Sequence, residues 1–197
     1  PIGRSPDLGE VSDIKKVVSP VMIYKEKSTF YHIDFSFDEL RLGGSAFAQS
    51  LNKVGSDVPT CQNPEYFRDA FNAVQTLINK GLVLAGHDIS AGGLITTLLE
   101  MCFANTEGGM EISLDGIKND DIVKILMAEN PGVVVQIDNK HKSEFKKILE
   151  DAGVGYVKLG TPTDERLIQV YKDGAEYQFG IDYLRDIWFS TSYLLDR

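Results

Sequence analysis

Cysteine is scarce in this sequence. Two occur in 197 residues, Cys61 and Cys102, with no CxxC spacing. That excludes a disulfide framework and fits a reducing compartment, the cytoplasm. Histidine is nearly as rare: His32, His87 and His141 stand apart, with no His/Cys cluster, so a zinc site is not expected. Long apolar runs are also missing. The longest falls far below the roughly 18 residues that a bilayer span needs, so no membrane segment is expected. No basic-then-apolar leader opens the sequence, and Pro1 stands where a methionine would begin a reading frame. The expectation is a segment of a longer chain with no signal peptide. Positive charge is in short supply, with 20 Lys and Arg against 29 Asp and Glu and a net charge of −9. With no basic patch interleaved with aromatics, a nucleic-acid partner is not expected. A small anionic ligand is not excluded, because local amides and metal ions can hold one against the overall charge.

What remains is the composition of an ordinary globular chain, 43% apolar and 25% charged, and long enough to bury a core. Residues 1–20 read as a polar lead-in with three prolines, and residues 21–197 as one domain. Val21–Phe35 reads as two short strands around a charged turn at Lys25–Ser28. After the glycine pair at 43–44, Phe47, Leu51 and Val54 are spaced as one helical face. "PEYFRDAFNAVQTLINKG" is the clearest helix: Pro64 suits its first turn, Phe67, Phe71, Val74 and Ile78 repeat along it, and Gly81 ends it. "LVLA" reads as a buried strand. The helix after Gly93 is apolar on all sides and belongs inside the fold. Asn119–Asn130 reads as a helix stopped by Pro131-Gly132. "GVVVQID" is a strand and "KHKSEFKKILEDAG" an amphipathic helix with a solvated charged face. "VGYVKLG", "RLIQVY" and "AEYQFGI" are strands. A closing helix carries Leu184, Ile187, Trp188, Thr191 and Leu195 on one face. Helices recur between pairs of strands without strict alternation, which predicts an α+β layered domain.

Two places put glycines and small polar groups at the mouth of a helix: "RLGGSAFAQ" (Arg41–Gln49) and "GHDISAGGL" (Gly86–Leu94). A helix N-terminus presents unpaired N–H groups and partial positive charge, which attract phosphate oxygens. Glycine lets the backbone approach a ligand closely. Asp88 adds a hard oxygen for Mg²⁺, and Ser90 a hydroxyl for a phosphate or a metal-bound water. Asp and Ser are equally at home as ordinary helix caps, so each turn alone is open to both readings. His87, at a strand end, is open to a backbone hydrogen bond as well as to chemistry. Neither turn matches a Walker A loop or a GxGxxG fingerprint.

Taken in order, "RLGGSAFAQ", "GHDISAGGLITTLLEMCFA" and "LRDIWFSTSYLLDR" resemble the C-terminal half of the aminoimidazole-ribonucleotide-synthetase-type ATP-binding module. More narrowly, the chain is similar to the second such domain of large-type phosphoribosylformylglycinamidine synthases, whose stretches read roughly R-L-G-G-S-A-L-A-Q, H-D-R-S-D-G-G-L and L-R-x-x-W-x-x-T-S-Y. The resemblance runs from about Arg41 to the C-terminus. It implies a layered α/β/α domain of α+β type, a mixed sheet with helices on its faces.

The resemblance also implies a chemistry. The family's full enzyme phosphorylates the amide oxygen of formylglycinamide ribonucleotide with ATP, and ammonia from glutamine then displaces phosphate to give the amidine. A poor electrophile thereby gains a good leaving group, and Mg²⁺ offsets charge on the transferring phosphoryl group. The family's H-D-x-S motif places a magnesium ligand at Asp88 and a nucleotide contact at Ser90. Gly43, Gly44 and Ser45 would line a cleft shared with the preceding synthetase N-terminal-type domain, and a glutaminase domain would complete the polypeptide. Ala91 departs from the pattern, which often has an acidic residue there. The preceding domain's own metal-binding acids and a glutaminase nucleophile are not in this chain, so it is expected to be inactive alone. A non-catalytic nucleotide-holding module of the same enzyme is the alternative reading. Another superfamily member, aminoimidazole ribonucleotide synthetase or selenophosphate synthetase, is a further one.

Overall fold

The computed structural model describes residues 13–24 and 26–195. The lead-in up to residue 12 lies outside the described residues. Seven strands form one sheet: β1 (Ser28–Asp34), β2 (Val83–Asp88), β3 (Gly109–Ser113), β4 (Gly132–Asp138), β5 (Tyr156–Thr163), β6 (Leu167–Lys172) and β7 (Ala175–Gly180). Their order is β2-β4-β1-β5-β3-β6-β7. Every pairing is antiparallel except β3 with β6, so the sheet is mixed. Helices α1 (Ala46–Ser50), α2 (Pro64–Asn79), α3 (Gly93–Phe103), α4 (Ile122–Met127), α5 (Lys142–Asp151) and α6 (Ile181–Leu195) complete the fold.

Alternation along the strands sorts the core into two layers. On β4, Val134 faces one layer while Val135 and Ile137 face the other; on β1, Phe30 and Tyr31 divide in the same way. The first layer packs α3, α4 and the start of α6 against the sheet. The second packs α2 and α5 against the opposite face. The α+β, α/β/α expectation holds. Helix α3 lies inside as its composition requires: Leu94, Ile95, Leu98, Leu99, Met101 and Cys102 are all buried. Each such aliphatic side chain contributes about 1.5–3 kcal/mol by leaving water.

Several local expectations are corrected. Val21–Tyr24 is not a strand; the Gln136 side chain holds it instead, accepting from the Ile23 N–H at 2.9 Å and donating to the Ile23 carbonyl at 2.6 Å. The helix after the glycine pair stops at Ser50 after five residues, and Leu51 and Val54 are exposed rather than one buried face. On α2 the buried residues are Ala70, Ala73, Val74 and Leu77, while Phe71 is half-exposed. Strand β2 is an edge strand in which only Ala85 is buried. Helix α4 runs only from Ile122 to Met127, which frees Glu129 and Asn130 for the site described below. Strand β3 is an addition to the expected strands, with Met110 and Ile112 alternating with an exposed Glu111 in a period of two. On α6, Ile187 and Trp188 are half-exposed. The side chains of Thr191 and Leu195 lie outside the described residues.

Helix α6 is fastened by Arg166. Its guanidinium donates to the Asp182 carboxylate at 2.7 Å and to the carbonyls of Cys102 and Gly108 at 3.3 and 3.0 Å. Those bonds to the Asp182 carboxylate hold its pKa below the usual carboxylate value.

The two cysteines differ sharply. Cys61 is exposed, whereas Cys102 is buried and desolvation pushes its thiol up to about 12. At pH 8 a thiol-specific chromogenic reagent will therefore titrate one equivalent in the folded protein, with the second appearing only in denaturant. Rapid release of both in native buffer would contradict the packing of α3.

Candidate functional site

The two glycine-bearing turns meet at one end of the sheet and are built differently. In the first, Gly43 N–H donates to the Asp57 carbonyl at 2.8 Å and Gly44 N–H to the Val54 carbonyl at 2.6 Å. A Cβ on Gly43 would stand 2.5 Å from the Asp57 carbonyl oxygen, so residue 43 is small because a neighbouring strand of loop presses on it. Ser45 is buried and caps α1: its hydroxyl accepts from the Ala48 N–H at 3.2 Å and donates to the Leu42 carbonyl at 2.7 Å. Arg41 ties the loop together, with Asp57 at 2.9 Å and Asp38 at 3.3 Å. The capping reading accounts for Ser45, and the two glycine amides are spent inside the loop.

The second turn is the reverse. Strand β2 pairs His87 with Val134 and Asp88 with Val133, and the Ile89 N–H continues to the Gly132 carbonyl at 2.8 Å. The chain then turns through Gly92 and Gly93, both left-handed at φ +90° and +71°. Gly92 is the N-cap of α3 and has no side chain with which to cap it. Neither Asp88 nor Ser90 plays the capping part that its residue type allows. The Asp88 backbone carbonyl is anchored by the buried Thr97 hydroxyl at 3.0 Å, whereas its carboxylate is 72% exposed. That carboxylate has one protein neighbour among the described residues, His87 Nδ1 at 3.4 Å. Ser90, two residues further on, is exposed, and its Oγ accepts from the Ala91 N–H at 2.6 Å.

His87 is fixed at both ring nitrogens. Nδ1 lies 2.9 Å from the Asp88 carbonyl oxygen and Nε2 lies 3.0 Å from Glu100 Oε2 on α3. The backbone hydrogen bond open to it from sequence is present, and Glu100 adds a strut between β2 and α3.

Three residues between α4 and β4 fasten this end of the sheet, and Glu129 among them bridges the two turns. Glu129 Oε1 accepts the Ala46 N–H at 2.7 Å and the Gly92 N–H at 2.8 Å. Asn130 is buried; its Oδ1 accepts the Arg41 N–H at 3.4 Å, and its Nδ2 donates to Ser36 Oγ at 3.2 Å and the Glu39 carbonyl at 3.0 Å. The Pro131 carbonyl accepts the Phe35 N–H at 2.9 Å. A signal was available: the residue before a proline is pushed out of the helical region, so a helix could not reach Asn130.

Two hollows flank these elements. An apolar one of about 190 Å³ lies between α2 and the β2–β4 edge, with Phe35, Phe71, Val83 and Val133 in its walls and Asp88 among its lining residues. A wider cleft of about 1010 Å³ is lined by His32, Asp34, Tyr66, Lys118, Lys124 and Tyr156. Burial holds the His32 imidazole below its ordinary pKa against the opposing pull of Asp34. No group of three or more His, Cys, Asp or Glu side chains is placed to hold a metal among the described residues. Asp88 nevertheless suits Mg²⁺, which is commonly bound by one or two carboxylates together with water and substrate phosphates.

A sequence profile of the family described as "AIR synthase related protein, C-terminal domain" matches residues 36–173. A probable phosphoribosylformylglycinamidine synthase of Arabidopsis thaliana is 35% identical over 188 residues, 94% of this chain and 13% of that protein. The human phosphoribosylformylglycinamidine synthase is 32% identical over 190 residues, 94% of this chain and 14% of that protein. The chain thus spans about a seventh of the length of these relatives. Among solved structures, PurL of Thermotoga maritima complexed with ATP superposes with a TM-score of 0.66 at 15% identity, covering 87% of this chain and 28% of that one. The same protein complexed with FGAR gives 0.67 at 16%, over 87% and 30%.

The left-handed handover at Gly93 is a strict requirement. A Cβ there would meet the Leu126 carbonyl oxygen at 2.7 Å as well as the strain of its positive φ. Gly93→Ala should destabilise the fold by about 2 kcal/mol or more, read as a lower urea midpoint with an unchanged m-value.

Proposed function

Since the chain belongs to the family of AIR synthase related protein C-terminal domains, we propose that it supplies one wall of an ATP–Mg²⁺ site in a phosphoribosylformylglycinamidine synthase. The observation that carries this reading is the Asp88 carboxylate. It stands exposed at the end of a strand, with its backbone pinned by Thr97, beside a helix mouth that it does not cap. A carboxylate so placed is a ready oxygen ligand, and Ser90 offers an exposed hydroxyl two residues on. In the site as proposed, Asp88 holds Mg²⁺ from this side and Ser90 contacts the nucleotide. The metal, when bound, offsets negative charge on the triphosphate. Gly43, Gly44 and Ser45 contribute wall rather than donors, because their amides and hydroxyl are engaged within the loop.

The names of the similar proteins support the substrates. The Thermotoga PurL complexes hold ATP and FGAR, and the relatives carry the synthase name over proteins several times longer. We extend both to this chain. Formylglycinamide ribonucleotide is phosphorylated on its amide oxygen by ATP, and ammonia released by a glutaminase domain displaces the phosphate. A preceding synthetase N-terminal-type domain closes the cleft from the other side. An exposed metal ligand with one loose protein contact is what half of a shared site presents, and this chain alone is accordingly inactive.

In the full-length polypeptide, Asp88→Asn should lower synthase turnover by about 10²- to 10³-fold with an unchanged melting temperature. Steady-state kinetics with saturating ATP and substrate measure this. Turnover equal to wild type would move Asp88 out of the catalytic site and favour a module that only holds a nucleotide.

A further inference from the structure

The two turns lie far apart in the chain, yet one oxygen atom sets the distance between them. Glu129 Oε1 takes the Ala46 N–H from the first turn and the Gly92 N–H from the second, at 2.7 and 2.8 Å. The two nitrogens therefore sit within two hydrogen-bond lengths of each other, across a single acceptor. The acceptor is itself held. Glu129 precedes Asn130, whose side chain makes three hydrogen bonds while buried, and Pro131, whose carbonyl binds the end of the β1 loop. From Gly92 the constraint passes into α3, and from α3 through the Thr97 hydroxyl to the Asp88 backbone carbonyl. Moving Glu129 Oε1 would therefore move the wall at Gly43–Ser45 relative to the carboxylate at Asp88.

We propose that Glu129 is a positioning residue of the site, acting through the reach of its side-chain oxygen to the Ala46 and Gly92 amides and not through its charge. This rests on the nucleotide reading above for its consequence in catalysis, but the staple itself can be read independently.

Two substitutions separate reach from charge. Glu129→Gln keeps a carbonyl oxygen at the same reach and removes the charge. Glu129→Asp keeps the charge and withdraws the oxygen by one methylene. Both retain a hydrogen-bonding side chain of similar size, so both should fold. In the full-length polypeptide, Glu129→Asp should lower kcat/KM for ATP by about 10²-fold, since small misplacements of a site cost rate steeply. Glu129→Gln should stay within about threefold of wild type. Amide hydrogen exchange measured on the same variants should quicken by about tenfold or more at Ala46 and Gly92 in Glu129→Asp, and remain slow in Glu129→Gln. An activity order with Asp at or above Gln overturns the proposal, as does unaltered exchange at both amides in Glu129→Asp. Asp88→Asn serves as the control. Full turnover in that variant defeats the nucleotide reading, while Gln above Asp at position 129 still supports a positioning role for the staple.

Discussion

Helix α3 is buried on almost every side, and that burial governs everything at its mouth. A buried helix cannot leave its first N–H groups to water, and its start cannot drift to find partners. Here the start is pinned from three directions. Glu129 receives the Gly92 amide, the Ser90 carbonyl receives the Gly93 amide at 3.0 Å, and Thr97 reaches back to the Asp88 carbonyl. Because backbone and a distant carboxylate do this work, Asp88 and Ser90 are released from the capping role their types would otherwise fill. A strand that ends at the edge of the sheet then presents a carboxylate to solvent on a rigid base. Rigidity with exposure is the combination a metal-binding or phosphate-binding surface needs.

The contrast between the two turns follows from the same logic. Helix α1 has five residues and no buried side chains, so nothing in the core fixes it. It is held instead by hydrogen bonds and ion pairs: the Ser45 cap, the glycine amides turned onto residues 54 and 57, Arg41 between two aspartates, and Glu129 on the Ala46 N–H. The polar groups that look available for a ligand are consumed in making the loop a loop. Sequence alone presents the two motifs as near twins, glycines with a serine before a helix. What separates them is whether the following helix is apolar enough to be held by the core.

That difference also explains how much could be read beforehand. Helices α2, α3 and α5 and strands β4 to β7 follow from periodicity and turn chemistry, because each carries a clear face or a clear run. The layered α+β arrangement follows from their order. The short elements were harder. Asn119–Asn130 has the composition of a longer helix than α4, although Asp121 caps Val123 and Lys124 and Pro131 bars extension at the far end. Strand β3 is hard to read from sequence because five residues beside a glycine pair give a weak alternation. On α2 the apparent face, Phe67-Phe71-Val74-Ile78, lies about one position from the buried one, which includes two alanines, Ala70 and Ala73. Asp88 and Ser90 could be singled out from residue type and position. Glu129 could not, because its role depends on two partners brought together only by the folded sheet.

The span shared with the family, residues 36–173, leaves out part of the sheet. Strand β1 ends at Asp34, before that span begins, yet it lies between β4 and β5 in the sheet. Phe30, Tyr31 and Ile33 on it are almost wholly buried, one in the first core layer and two in the second. Removing β1 would split the sheet and expose both layers at once. Beyond residue 173 the same holds more weakly: β7 closes onto β6, Ile181 is buried, and Leu184 packs against the layer that contains α3. Arg166 joins this addition to the carbonyls of Cys102 and Gly108, at the far end of α3 from Asp88. Arg166 lies within the common span but also bonds the Asp182 carboxylate, so the last turn of α3 is linked through it to α6, beyond residue 173. The sheet and its two core layers are thus wider than the pattern that identifies the family, and the packing around α3 draws on both.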